Sequence, residues 1–411
     1  MNSDKYDNIN GGKTSEYSPA QRGAMISVAV ILIFLMSIFG VAGLHILVDD
    51  KEFSESENRV LTDMPKLTFS GIFDGSFMKS FESYLTDQFP FRDKIISLKT
   101  YADRVVGKNE ENGVYIGQDD FLFDSQSEYN EAQVKEITDA IVSFTKSNKG
   151  VKRAFLLAPN SSYIYSDKLP KHLEMPNQRD QIRNIYNLLK KDKSLTWVNV
   201  CSLFEKSVKE NDTLLYYKTD HHWTTRAAKK VFNVLKEKWG LTTTGNIYEN
   251  VEAEPKYNFY TVSATFQGTL SSTAGVHDAY DTVEICVPKK SEGTYVVNFE
   301  SSSLKTPSLF FEEKLEQKNH YEVFLGGNYD KVIISTVSQS PNTLLLIKDS
   351  YANCMIPMLT PYFGKIVVLD PRYLTDSLDS IVKENDFTHI LFLYNLNTFL
   401  EDTSLAQCLA S

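Results

Sequence analysis

Two short segments of this 411-residue chain hold side chains that could perform nucleophilic catalysis. Residues 216–224 read YYKTDHHWT and place Asp220 two positions before His222. Residues 343–359 read TLLLIKDSYANCMIPML and place Ser350 directly after an apolar run. A serine hydroxyl is a weak nucleophile unless a base takes its proton, and histidine is the usual base near neutral pH. The two segments together predict a Ser350–His222–Asp220 triad.

Local geometry gives each member of this triad a role. In an extended segment, residues i and i+2 point the same way, so we expect Asp220 and His222 on one side and His221 on the other. Asp220 would then fix the tautomer of the His222 ring and stabilise the imidazolium that forms during turnover. We expect Ser350 at a helix N-terminus, where free backbone N–H groups and the helix dipole could hold an oxyanion.

Each of these residues also has an ordinary structural interpretation. A serine after a strand is commonly a helix N-cap, and Asp220 could be a turn residue. His221 could be a packed or an exposed imidazole. The Asp-His-His run could also bind a metal, but two imidazoles on opposite sides need ligands from elsewhere, and no Glu or Cys stands nearby at a helpful spacing. The sequence therefore favours a triad without a metal.

The elements that must position the triad are typical of an α/β fold with a parallel sheet. Helix-like and short apolar strand-like runs alternate, as in EAQVKEITDAIVSFTKSNKG before KRAFLLAPN and RDQIRNIYNLLKKD before LTWVNV. The same strand pattern returns in TLLLIKDS, KIVVLD and HILFLY. Between about 241 and 340, β-like runs with glycine turns predict an antiparallel, β-rich insertion.

Polar residues at the carboxyl ends of these strands are further candidates, because ligands of open parallel sheets collect there. They could bind an acyl oxygen, an oxyanion or a sugar, although Asn and Arg at such places are also common as loop caps and turn residues. The candidates are Asn160, Tyr351, Arg372, Tyr373 and Asn395.

An uncharged run from Gly23 to Val48 is long enough to cross a bilayer, since about 20 residues suffice. We predict a cytoplasmic tail at 1–22, a transmembrane anchor at 23–48, a stalk at 49–66 and a catalytic domain at 67–411. A cleaved signal peptide is the alternative. Arg22 before the run and the acidic DDKE after it favour an inside N-terminus and an exported body.

The net charge limits which partners the protein can bind, and the spacing of the cysteines bears on whether it needs disulfides. The formal net charge is −10, and the first 48 residues contribute none of it, which argues against a nucleic-acid partner or an anionic membrane surface for the body. The four cysteines are widely scattered and show no CxxC spacing. We expect that no disulfide is required, although a pair stays possible.

Several quoted segments resemble a known family when they are taken in order. They are ENRVL…MPK, FESYLTDQFPFRD, APNSSYIYSDKLP, YYKTDHHWTTRAA, FQGTL, LLLIKDSYAN, VVLDPRY and LFLYN. The chain resembles the DHHW family of bacterial exported proteins, relatives of the SGNH-hydrolase-like alginate O-acetylation proteins, over about residues 50–400. The resemblance implies an SGNH-like domain whose acid is Asp220, whose base is His222 and whose nucleophile is Ser350. Lys348 stands where the familiar Gly-Asp-Ser block has its glycine.

The resemblance also implies a function. It predicts an extracytoplasmic O-acyltransferase, O-acetyl before other acyl groups, that modifies a cell-envelope or secreted polysaccharide without a diffusible cofactor. A multi-spanning membrane acyltransferase would supply the acyl donor. Two alternatives remain at this point: an esterase or deacetylase with the same triad, and a non-catalytic anchored polysaccharide-binding or scaffold protein.

Overall fold

The structure is a computed structural model that describes residues 18–54, 59–210, 212–243, 255–289 and 295–410. These residues form two units. Residues 18–54 and 60–92 make up the first, and residue 59 with residues 93–410 makes up the second.

Most strands of the second unit belong to one mixed sheet. The strands of the chain are β1 (Phe53–Ser54), β2 (Arg59–Val60), β3 (Glu110–Glu111), β4 (Val114–Ile116), β5 (Leu122–Asp124), β6 (Lys152–Ala158), β7 (Leu195–Val198), β8 (Tyr257–Phe266), β9 (Asp281–Pro288), β10 (Tyr295–Phe299), β11 (Leu304–Thr306), β12 (Lys331–Thr336), β13 (Thr343–Lys348), β14 (Lys365–Leu369) and β15 (His389–Asn395). The sheet runs in the order β11-β10-β12-β14-β13-β15-β6-β7. From β14 to β7 every neighbouring pair is parallel, as the alternation of helices and strands predicts.

Helices of the second unit pack on both faces of this sheet. In chain order, the helices of the two units are α1 (Pro19–Leu47), α2 (Phe69–Phe73), α3 (Ser76–Asp87), α4 (Arg92–Val105), α5 (Glu131–Ser147), α6 (Ser161–Ile164), α7 (Gln178–Leu189), α8 (Val200–Lys209), α9 (Thr225–Trp239), α10 (Thr269–Ala274), α11 (Ile356–Leu359), α12 (Leu378–Lys383), α13 (Leu396–Glu401) and α14 (Ser404–Ala410). Short 3₁₀ turns lie at Ser166–Lys168, Glu312–Glu316, His320–Val323 and Ser350–Ala352.

Side chains of the central strand β13 alternate between two hydrophobic cores. Leu344 and Leu346 pack on one face with residues of α9, while Leu345 and Ile347 pack on the other with residues of α5 and α7. All four are fully buried, and each such side chain contributes about 1.5–3 kcal/mol relative to an exposed one. The strand that precedes Ser350 is therefore held rigidly on both faces, which suits a residue that must keep an accurate position.

The region predicted as a β-rich insertion is antiparallel, but part of it is continuous with the main sheet. Strands β8 and β9 pair antiparallel as a separate two-stranded sheet, with helix α10 between them in the chain. Strand β12 pairs antiparallel with β14, and β10 and β11 follow it outward. These three strands thus lengthen the central sheet, because β12 satisfies the edge of β14 that the parallel strands leave open. Residues 244–254 and 290–294 of the predicted insertion lie outside the described residues.

The apolar run predicted as an anchor lies on helix α1, which begins earlier than expected. Ser18 caps its N-terminus, and its side chain accepts a hydrogen bond from the Gln21 N–H. The part of this helix from Pro19 to His45 is long and apolar enough to cross a membrane. Its mean hydropathy is 2.7, and its most apolar stretch is not buried against the rest of the protein. This helix is consistent with the predicted membrane anchor. The predicted tail at 1–17 lies outside the described residues.

Part of the segment predicted as a stalk packs on helix α3 of the first unit. The Tyr84 hydroxyl donates to the Asp50 carboxylate at 3.0 Å, and the Thr62 hydroxyl donates to Asp87 at 2.8 Å. Leu61 is buried. These described residues are therefore folded against a helix.

The four cysteines, all of which lie in the described part of the chain, do not pair with one another. Cys201, Cys286 and Cys354 are buried, and Cys408 is half-buried. Burial raises the pKa of each of the three buried thiols to about 12. They therefore behave as small apolar side chains.

Candidate active site

Ser350 lies two residues past the end of β13, at the carboxyl edge of the parallel strands. It opens a 3₁₀ turn of three residues, and the expected α-helix does not begin there. The Asp349 carboxylate takes the capping role by accepting the Tyr351 N–H at 2.9 Å. The first α-helical residues after Ser350 are those of α11, which spans only four residues. The predicted helix dipole at Ser350 is therefore wrong, because so short a turn aligns few peptide units.

His222 and Asp220 lie beside Ser350 and bond to it in series. The His222 Nε2 atom is 2.7 Å from the Ser350 Oγ atom, and its Nδ1 atom is 2.6 Å from Asp220 Oδ1. Asp220 and His222 are buried, whereas Ser350 is half-buried. The imidazole thus stands between a carboxylate and a hydroxyl, with each ring nitrogen engaged.

The segment that carries this pair is bent, so the expected extended geometry is wrong. Residues 218–222 form consecutive bends between the bridged residues Tyr216 and Trp223. Asp220 Oδ1 also accepts the backbone N–H of His222 at 2.9 Å, which closes a local turn. The two rings of His221 and His222 lie 4.0 Å apart, so His221 does not face away from the site.

Asp220 is held as an ionised acceptor by donors on both of its oxygens. Besides the two His222 groups on Oδ1, the Thr269 N–H and hydroxyl both donate to Oδ2 at 2.9 Å. Burial acts to raise the pKa of Asp220, but the neighbouring rings of His221 and His222 and the two hydrogen bonds from His222 hold it below its ordinary value. The carboxylate can therefore stabilise positive charge on His222.

Gly268 lets the β8–α10 loop approach Asp220 closely. A Cβ atom at position 268 would lie 2.2 Å from Asp220 Cβ and 2.5 Å from its Oδ2. The Gly268 φ is −80°, so the demand for glycine at this position is steric and does not come from the backbone angle. The glycine brings the Thr269 N–H within reach of the carboxylate.

Tyr321 covers the face of the His222 ring. The two ring centroids are 3.7 Å apart with planes 13° from parallel. The Tyr321 hydroxyl donates to the Ser350 carbonyl at 3.0 Å. One side chain therefore supports the imidazole and the turn that carries the serine.

Three of the other predicted site residues, Tyr351, Asn160 and Asn395, lie near Ser350 and have polar side-chain groups that are already paired. Tyr351 is buried, and its hydroxyl donates to the His221 carbonyl. Asn395 and Asn160 lie buried together, joined by an amide hydrogen bond of 2.9 Å. The Asn395 N–H donates to Asp349 at 2.6 Å, which ties this pair to the serine turn.

Arg372 and Tyr373 lie at the end of β14. The Arg372 guanidinium donates two hydrogen bonds to Asp370, at 2.7 and 2.8 Å, and stands over the Tyr373 ring. The buried Lys348 also donates to Asp370, at 3.3 Å. The described contacts of Arg372 and Tyr373 do not reach Asp220, His222 or Ser350. Tyr373 is exposed.

A family model for the SGNH hydrolase-like domain, acetyltransferase AlgX, matches residues 114–322, half of the chain. The chain belongs to this AlgX family. The match includes Asp220, His222 and Thr269 and ends before Ser350, so the prediction of Ser350 as the nucleophile rests on the geometry described above. Membership supports acyltransferase or esterase chemistry at the level of the family.

Solved structures share the fold of this AlgX-family chain. A DHHW family protein from Eubacterium siraeum is 20% identical with a TM-score of 0.59, and the match covers 72% of this chain and 95% of that one. Bacillus cereus PatB1, solved with a sulfonyl adduct, is 19% identical with a TM-score of 0.55, covering 71% and 97%. No curated protein matches the chain. The predicted SGNH-hydrolase-like α/β fold and the predicted family resemblance are both confirmed.

The AlgX-family site gives a metal ion few available ligands. Ligand atoms of Asp220, His221 and His222 lie within 4.8 Å of one another. However, both Asp220 oxygens and both His222 nitrogens already have protein partners. A metal here would have to displace the contacts that join the three triad side chains.

The sequence analysis missed Gly268, Thr269 and Tyr321. Gly268 and Thr269 belong to the segment FQGTL, which was singled out only as part of the family resemblance. A glycine before a threonine at a helix start gives no direct signal of a carboxylate partner far away in sequence. Tyr321 lies in a 3₁₀ turn and shows no pattern that would separate it from the other tyrosines.

Proposed function

We propose that this protein is a membrane-anchored, extracytoplasmic O-acyltransferase that transfers an acyl group, in particular acetyl, to a cell-envelope or secreted polysaccharide. The observation that carries the proposal is the pair of contacts on His222: 2.7 Å from Nε2 to Ser350 Oγ and 2.6 Å from Nδ1 to Asp220 Oδ1. A nucleophile, a base and an orienting acid in series are what acyl transfer through an acyl-enzyme requires.

In the first half of the reaction, His222 removes the Ser350 proton as Oγ attacks the acyl carbonyl. The imidazolium that forms is stabilised by the ionised Asp220 and by the face of Tyr321. We assign the oxyanion to the Ser350 backbone N–H, because the Tyr351 N–H is taken by Asp349. His222 then returns the proton to the leaving group, which leaves an ester on Ser350.

In the second half, a sugar hydroxyl gives its proton to His222 and attacks the ester. The acyl group moves to the sugar, and His222 returns the proton to Ser350 Oγ. No diffusible cofactor takes part. Water in place of the sugar would make the same site an esterase, so access of the acceptor decides the outcome.

The membrane helix and the charge of the chain agree with this assignment. Helix α1 would keep the domain close to the bilayer, where a multi-spanning membrane acyltransferase could deliver the acyl donor. The net charge of −10 favours a neutral or basic partner over nucleic acid.

The test uses the full chain in detergent, with p-nitrophenyl acetate as donor and defined tetrasaccharides as acceptors. Acetylated sugar and free acetate are both measured. Ser350→Ala should abolish the burst of p-nitrophenol and the transfer, and a sulfonyl fluoride should label wild type but not this variant. This class of reagent is suggested by the sulfonyl adduct of PatB1.

Ser263→Ala is the matched control. Ser263 Oγ also lies 2.7 Å from a histidine nitrogen, Nδ1 of His320, but no carboxylate bonds that ring among the described residues. This variant should keep full activity. If wild type releases free acetate and forms no acetylated sugar with any acceptor, the protein is an esterase and not a transferase. If wild type shows neither the burst nor labelling, the protein is non-catalytic.

A further inference from the structure

His221, the second histidine of the DHHW run, has one ring nitrogen that the protein leaves open. Its side chain is 34% exposed, and its ring lies 4.0 Å from the ring of His222. The Nδ1 atom is 2.9 Å from the Thr269 hydroxyl. No residue in the described part of the chain bonds its Nε2 atom.

The Thr269 hydroxyl fixes which His221 nitrogen carries the proton. A carboxylate can only accept, so the Thr269 O–H must donate to Asp220 Oδ2. Its single proton is then committed, and the Thr269 oxygen must accept from His221 Nδ1–H. A neutral imidazole protonated on Nδ1 carries a lone pair on Nε2. The chain of bonds from His221 through Thr269 to Asp220 therefore leaves an acceptor beside the nucleophile.

The charge state of the ring agrees with this assignment. Burial and the adjacent His222 lower the pKa of His221. Asp220, Asp124 and Asp349 act in the opposite direction but do not reverse the shift. His221 is therefore neutral at pH 7, and its Nε2 atom attracts hydrogen-bond donors.

We propose that His221 Nε2 binds the acceptor substrate by accepting a hydrogen bond from a sugar hydroxyl close to the one that attacks the acyl-enzyme. The inference rests on the proposed transfer reaction and specifies its substrate class as a polyhydroxylated acceptor. A lone pair at this place favours O–H and N–H groups and disfavours carbonyl or carboxylate oxygens. It would hold a sugar in the orientation for attack and so favour transfer over hydrolysis.

Two substitutions separate this role from a purely structural one. In His221→Asn, the amide can still donate to Thr269 in place of Nδ1, but nothing replaces Nε2. In His221→Gln, the longer amide can place its oxygen near Nε2, and the bond to Thr269 is lost. His172→Asn is the matched control, because His172 is exposed and asparagine tolerates its φ of 66°.

The assay measures KM for a tetrasaccharide acceptor and the burst of p-nitrophenol with no acceptor present. His221→Asn should raise the acceptor KM about tenfold, as loss of one hydrogen bond allows, while the burst rate changes much less. His221→Gln should stay within about threefold of wild type in KM. A larger rise in the acceptor KM for His221→Gln than for His221→Asn, or no change in KM for either variant, would overturn the proposal. His221 would then serve only to hold Thr269 in place.

A second measurement does not depend on transfer. Selective ¹⁵N-histidine labelling of the Ser350→Ala chain, assigned with His221→Asn, should show His221 protonated on Nδ1, and the Nε2 signal should move when the tetrasaccharides are added. A proton on Nε2, or an Nε2 signal that no acceptor moves, refutes the inference. If wild type only hydrolyses the ester, the proposed transfer fails, and this spectrum still decides the role of His221.

Discussion

Gly268→Ala tests whether the orientation of Asp220 controls the reactivity of Ser350. The new methyl group would lie 2.2 Å from Asp220 Cβ, whereas ordinary contacts begin near 3.4 Å, so one side must move by about 1 Å. The loop has little freedom to retreat, because the Gly268 N–H donates to Thr219 and its carbonyl accepts from Ser272. We therefore expect Asp220 to move.

The expected loss follows from the bonds that this movement breaks. Asp220 Oδ1 is 2.6 Å from His222 Nδ1, and a shift of about 1 Å removes that bond. A 1 Å displacement costs about 100-fold in rate, and loss of the correct histidine tautomer costs up to about 10,000-fold. We predict a fall in the burst rate of between about 100- and 10,000-fold. The overpacking itself should lower the free energy of unfolding by about 1–3 kcal/mol.

The assay compares Gly268→Ala with Gly364→Ala and Asp220→Asn. A Cβ at position 364 would meet the Ser340 carbonyl at 2.8 Å, so this control strains the fold at the opposite end of the sheet without touching the triad. It should lose stability and keep its burst rate. Combining Gly268→Ala with Asp220→Asn should cost no more than the worse single change, because both act through one carboxylate. A Gly268→Ala enzyme within threefold of wild type would refute the reasoning.

Two further predictions concern Tyr321 and His389. Tyr321→Leu should lower the burst rate about tenfold, because the imidazolium of His222 loses the aromatic ring that covers its face. Tyr321→Phe loses only the hydrogen bond to the Ser350 carbonyl and should lower the burst rate about threefold. Equal losses for the two variants in stopped-flow measurements of the burst would contradict this assignment. Burial lowers the pKa of His389 from 6.5 to about 4, so the unfolded chain binds the extra proton, and this residue's contribution to stability is lost as pH falls through that window. In wild type, the free energy of unfolding should therefore fall between pH 8 and pH 5. In His389→Phe, whose ring would pack near Trp239, urea titrations should show a fall that is smaller by about 2 kcal/mol. An equal fall in the two proteins would exclude His389 as the cause.

The parallel part of the sheet could be predicted from the sequence because its strands are continuous apolar runs. Leu344–Ile347 are buried on both faces, which is the pattern that parallel strands between helix layers produce. The two ends of helix α9 also carry residue types that favour helix ends, namely Thr224 as the N-cap and Gly240, in the left-handed conformation, after the last turn. The place of β12 in the sheet was not predictable, because its pairing with β14 is set by tertiary contacts and not by local pattern.

The proximity of Asp220 and His222 was predicted through an incorrect geometry. The spacing i, i+2 predicts that both side chains lie on one side of an extended segment. In the structure, the Asp220 side chain instead bends the backbone by accepting the His222 N–H. A short polar side chain competes with extended structure in this way, and residue type alone does not tell which conformation wins. The same bend brings His221 to the site, which the strand interpretation placed on the far side.

Burial makes three of the four cysteine thiols unreactive toward oxidants while the domain is folded. With a pKa of about 12, Cys201, Cys286 and Cys354 hold only about one thiolate in 100,000 at pH 7. Unfolding would restore ordinary thiol acidity and speed alkylation by several orders of magnitude. The rate of maleimide modification at these three positions therefore reports how often the domain opens. In an oxidising compartment, a chain that folds slowly would expose these thiols long enough to form incorrect disulfides.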